Sequence, residues 1–241
     1  MSVLTLRLAG PLQAWGASAR FTRRTTESAP TKSGVIGLLA AAAGIQRSDD
    51  DALSPLAALR FGVRIDQPGT RIRDFHTAHH GVTGKSMPLS ERFYLADAVF
   101  VAALEGDHHL LTTLHQALRA PVYAPFLGRR SCPPSQPVDL TLHQDATLLD
   151  ALRQEPWQAS LWYRKHHHGH APIELTVLHE AEPHTQHTAD TLRDQPLSFA
   201  AEHRRHALRA QVAYRVRLPD PPAGRHLPYH DPFDVLDEES A

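Results

Sequence analysis

Ala29-Pro-Thr-Lys-Ser-Gly-Val-Ile-Gly-Leu-Leu-Ala-Ala-Ala-Ala-Gly44 reads as one helix with both ends marked. Pro30 breaks the chain before it, Thr31 or Ser33 can cap the first free N–H groups, and Gly44 ends it. Val35, Ile36, Leu38 and Leu39 supply the apolar side. Gly34, Gly37, Ala41 and Gly44 recur at helical spacing, which predicts a nearly bare face able to lie close on a sheet. A helix N-terminus attracts anions through its free N–H groups and its dipole, and Lys32 adds a full charge. The expectation is a phosphate site at Thr31, Lys32, Ser33 and Gly34, with Arg20, Arg23 and Arg24 converging from just upstream. The alternative is a solvated basic loop ahead of an ordinary core helix. Lys32-Ser33 lacks the glycines of a P-loop, since Glu27 to Pro30 stand in their place, and this excludes a nucleotide triphosphatase.

A chain of 241 residues, 41% hydrophobic, suits one large domain or two small ones. No run approaches the roughly 18 apolar residues of a membrane helix. The early apolar residues alternate with Thr5 and Arg7, unlike a signal peptide. A single cysteine, Cys132, permits no internal disulfide, and the chain reads as cytoplasmic. The net charge of −1 hides an asymmetry. Residues 1–133 carry 15 Lys+Arg against 10 Asp+Glu, and the remainder carries 10 against 16. Five of those acids fall within 231–241, so residues 229–241 read as an acidic tail. The N-terminal part therefore has the polarity that an anionic partner selects.

Val3 to Ala9 alternates and predicts a strand with one buried face. Leu59 to Asp66 predicts a second strand with Phe61, Val63 and Ile65 buried; Arg60 and Arg64, with Arg7, share the other face or pair with acids. Pro68 to Leu95 holds seven basic side chains, with Gly81 and Gly84 as turn points, and predicts an extended hairpin reaching away from the body. Ala96 to Leu104 is apolar on both faces and predicts a central strand. Asp107 caps a helix with a Leu110, Leu111, Leu114, Leu118 stripe. A strand near 138–143 then completes βαββαβ, the ferredoxin-like or RRM-like order, within an α+β fold. The expected division is an RRM-like domain over 1–144, with a thumb at about 68–95, and a partly β C-terminal extension over 145–241. The RRM signature itself is absent beyond the fragment Arg60-Phe61-Gly62-Val63.

Phe126-Leu-Gly-Arg-Arg-Ser131 combines a ring face, a glycine that allows close backbone approach, and two guanidinium groups. That is a kit for single-stranded RNA, or else a Pro-rich surface turn. Among 18 histidines, His166, His167, His168 and His170 cluster without the mixed ligands of a zinc site, so no metal or cofactor is expected. His76, His79 and His80 lie near Lys85. They read as basic groups for RNA contact or as solvated hairpin residues, and less well as the acid and base of a metal-independent ribonuclease.

Six segments in register resemble the CasD family, RAMP-superfamily subunits of type I-E CRISPR Cascade that hold the crRNA 5′ handle. They are Arg7 to Gly16, Pro30 to Leu39, Gly44 to Arg47, Arg73 to Thr77, Tyr94 to Asp97 and Phe126 to Pro133. The resemblance implies an RRM-like body with a protruding thumb. It implies a non-catalytic role, gripping the handle and capping the filament of backbone subunits. It implies contact with the large PAM-recognising subunit, and with target DNA only indirectly. On matching positions it implies RNA contact at the basic loop and helix start, at Arg92, and at Phe126, Gly128, Arg129, Arg130 and Ser131. Phe126 would stack on a handle base. A sister subtype's equivalent subunit cuts precursor crRNA, which keeps the ribonuclease as the rival, beside a purely structural adaptor.

Overall fold

The computed structural model describes residues 1–17, 23–167, 173–181 and 189–218. Arg20, His168, His170 and the acidic tail therefore lie outside the described residues. The elements run β1 (Ser2–Ala9), β2 (Leu12–Gln13), β3 (Arg23–Arg24), α1 (Lys32–Ala42), α2 (Asp50–Ala57), β4 (Arg60–Gln67), β5 (Thr70–His76), β6 (Ser90–Ala96), β7 (Val99–Gly106), α3 (His108–Arg119), β8 (Asp139–Gln144), α4 (Leu148–Gln154), α5 (Leu161–His166), β9 (Glu174–Glu180), β10 (Asp190–Ser198) and β11 (Arg205–Arg217).

This is a mixed α/β fold with antiparallel sheets. The larger sheet has the order β10-β11-β9-β4-β7-β1-β8. β7 lies between β1 and β4, so its unbroken apolar run is buried on both faces. One face of the sheet carries α1 and α3 over Leu4, Leu6, Leu8, Phe61 and Phe100. The other face meets α4, whose Leu148, Ala151 and Leu152 pack on Val3, Val101, Ala103 and Val177.

That second layer corrects the expectation of a single buried face on β1. Thr5 is fully buried, its hydroxyl within hydrogen-bond reach of the Glu155 carboxylate and the Thr141 carbonyl. Arg64 is also fully buried. Its guanidinium pairs with Asp66 and donates to the carbonyls of Leu152, Glu155 and Pro156. Arg60 pairs with Glu105 at 3.1 Å. Arg60 and Arg64 thus pair with acids rather than forming a shared basic surface, and Arg7 donates to Gln158 and to the Pro137 carbonyl.

β5 and β6 form the hairpin over the predicted insertion, with β5 exposed along its length. On its other side β6 pairs with β2 at its base and runs parallel to β3 higher up. The basic loop is therefore stitched into the hairpin. Helix α1 begins and ends as expected: Gly34 N–H donates to the Thr31 hydroxyl, and Gly44 adopts φ +76°. Its glycine face does not meet the sheet. Val35, Ile36, Leu38 and Leu39 do, and the bare face turns outward.

Candidate nucleic-acid interface

The outward face of α1 floors an open groove of ≈ 930 Å³. Thr31, Ser33 and Gly34 line it with Phe126, Gly128 and Arg130, six of the residues singled out from sequence. The approach of the 126–131 loop depends on one glycine. Gly128 sits at φ +80°, and a Cβ there would stand 1.8 Å from the Ala14 carbonyl oxygen. Buried Leu127 and Cys132 pin the loop: Leu127 N–H donates to the Cys132 carbonyl at 2.7 Å, and Ala14 N–H donates to the Leu127 carbonyl at 3.1 Å. Burial pushes the Cys132 thiol up, which suits an inert anchor. Trp15, fully buried, backs the groove beside Gly34, held by Nε1 donating to Gln13 at 3.0 Å.

A second group gathers at the hairpin base. The Arg129 guanidinium lies 4.7 Å over the Tyr94 ring and donates to the Arg24 carbonyl at 3.0 Å. Arg24 pairs in register with Arg92, and Arg23 lies 5.4 Å over Phe93 with Glu91 at 3.9 Å. Arg92 Nε and Arg129 Nη1 are buried donors with no partner among the described residues. Arg129 thus serves the hairpin side of its loop while Arg130 lines the groove. Ser131 is exposed, its hydroxyl 3.9 Å from the Cys132 sulfur, and it does not line the groove.

One expectation needs correction. Lys32 is 2% exposed, and its ammonium lies 2.7 Å from Glu180. Its backbone N–H donates to Asp194 at 2.8 Å, and Arg209 grips the same carboxylate through two nitrogens. The helix end thus already holds an anion from the chain itself, which removes Lys32 from phosphate contact. Burial pulls the Lys32 pKa down, against the opposing pull of Glu180. The hairpin histidines have local partners but stay partly exposed: His76 with Asp74, His79 with the Gly84 carbonyl, and His80 with Thr83 N–H. Among the described residues no group of three or more metal-ligating side chains gathers.

Sequence reasoning missed Arg47, Phe199, Arg204 and His206, which line the groove. The signal was present in Phe199-Ala-Ala-Glu-His-Arg-Arg205, a ring followed closely by guanidinium groups, as in Phe126 to Arg130.

The family model described as CRISPR-associated protein (Cas_Cas5) matches residues 3–212. The chain belongs to the Cas5 family. It is 35% identical over 214 residues to the CRISPR system Cascade subunit CasD of Escherichia coli (strain K12), covering 81% of this chain and 89% of that one. A solved structure titled as a Cas protein superposes with TM-score 0.70 at 37% identity, over 91% of this chain and 99% of the other. A chain of a CRISPR RNA-guided surveillance complex superposes with TM-score 0.70 at 32% identity, over 90% and 91%. This Cas5 chain is therefore a homologue of a Cascade subunit. No helix among its described residues is long and apolar enough to cross a membrane.

Proposed function

We propose that this Cas5-family chain is a non-catalytic, crRNA-binding subunit of a type I-E Cascade and that its groove holds the 5′ handle. The convergence of α1 and the 126–131 loop on one groove carries the reading. Distant segments place a ring, glycine backbone and a guanidinium together, which is what unstacked bases and their phosphates require. The unpartnered Arg92 and Arg129 nitrogens add donors at the hairpin base. Arg23, Arg24 and His76 extend this basic edge, with His76 acting as a contact rather than a catalyst. Likeness to CasD and to a surveillance-complex chain supports the same assignment.

The strand order β4-β7-β1-β8 with α1 and α3 on one face supports a ferredoxin-like body for residues 1–144. The hairpin exposes Phe75, Val82, Met87 and Leu89, a composition that suits a protein partner. We assign it to the neighbouring backbone subunit, with the large PAM-recognising subunit nearby and target DNA reached only through these partners.

The test uses 5′-labelled repeat–spacer RNA and purified chain in EDTA, run on native and denaturing gels. A shifted, intact RNA whose shift vanishes when the handle is deleted is the expected result. Cleavage at the repeat, lost when His76, His79 and His80 are replaced, would make the chain a processing ribonuclease instead.

A further inference from the structure

The groove has a second wall that belongs to the C-terminal strands. Gly34 looks toward Trp15, whereas Gly37, one turn along, looks toward Phe199. The Phe199 ring lies 3.8 Å from where a Gly37 side chain would begin. The His206 ring is 6.2 Å from it, tilted 55°. Arg204 stands exposed on the same wall. Among the described residues, the side chains lining the groove include Arg47, Arg130 and Arg204 against a single carboxylate, Glu202. A bare backbone floor, rings on two sides and an excess of guanidinium groups favour a strand of nucleotides over a peptide.

We infer that Phe199, His206 and Arg204 form a second nucleotide subsite in this groove: an unstacked base lies against the two rings while Arg204 takes an adjacent phosphate. The subsite rests on the RNA-binding reading above and extends it to residues of the C-terminal strands. Those strands then belong to the RNA site itself rather than to an accessory layer.

The experiment measures fluorescence anisotropy of labelled repeat–spacer RNA with the full chain, at several salt concentrations. Wild type, Phe126→Ala, Arg204→Ala and Phe199→Leu are compared. Leucine keeps an apolar contact with Gly37 but removes the ring. Phe199→Leu should weaken binding roughly tenfold, the size of one stacked base. Arg204→Ala should lower the salt slope by about one phosphate contact. Because Arg204 is exposed, its variant tests the subsite even where Phe199→Leu lowers the melting temperature. If Phe126→Ala weakens binding while Phe199→Leu and Arg204→Ala bind as wild type does, the second subsite is wrong and the RNA reading stands. If wild type binds no RNA, both fall. If Phe199→Leu leaves RNA affinity intact but blocks assembly with partner subunits, the wall is a protein contact and the subsite is overturned.

Discussion

Phe126 and Gly128 share one loop but fail differently when replaced. Phe126 is half-buried at the groove and can offer a face to a base. Phe126→Ala should cost about 1–3 kcal/mol of RNA affinity with little change in melting temperature, measured by titration and thermal denaturation. Gly128→Ala drives a methyl group into the Ala14 carbonyl at a positive φ, so it should cost about 1–3 kcal/mol of stability and lower RNA affinity as well. His206 gives a pH signature. Burial first, and the Arg204 charge second, hold its pKa below the ordinary 6.5, against a weaker upward pull from Asp194. The unfolded chain therefore takes this proton first as pH falls, and folding loses stability from about pH 6.5 downward through the lowered pKa. His206→Gln should lose less of its denaturant midpoint than wild type between pH 8 and pH 5; equal losses would remove His206 as the cause. The ring and glycine of the 126–131 loop were readable from sequence because their chemistry is local. The engagement of Lys32 was not, because its partners Glu180 and Asp194 lie 148 and 162 residues away.

Helix α1 is the best example of an element whose ends are written locally and whose setting is not. Thr31, Gly34 and Gly44 sit at the cap and stop positions that the sequence marks. Thr31→Ala should cost about 1 kcal/mol, a cap-sized loss in chemical denaturation. Which way the glycine face turns depends on where the apolar residues find the sheet, and that is a tertiary outcome. Asp194 then fixes the start of the helix to β10 and β11. Removing one member of a buried charged cluster leaves the others unpaired, so Asp194→Ala should cost about 3–5 kcal/mol, read as a lower denaturant midpoint. The hairpin was readable from its turn glycines and its run of basic residues. Its second edge was not, because the short strands β2 and β3 carry too few residues to show alternation.

Across the described residues, the N-terminal strands and the strands of 174–217 share one sheet, since β9 pairs with β4 and carries β11 and β10 beyond it. The central strands were readable from their apolar runs. Ile173 to Leu178 and Gln211 to Leu218 also read as strands and overlap β9 and β11, whereas β10 was not readable, because it is largely polar outward and takes its place only by pairing with β11. The formal charge of −1 averages a basic groove with acids elsewhere, so RNA affinity should track the groove and not the total. Binding should fall steeply with salt, with a log–log slope of about −0.7 for each phosphate engaged, and a flat titration would count against the groove. The bond from Lys32 to Asp194 spans 162 residues and has a consequence in time. On the ribosome α1 emerges long before the carboxylate that anchors its first turn. The floor of the groove is therefore set only once β10 has been made, and a nascent or truncated chain presents no finished grip.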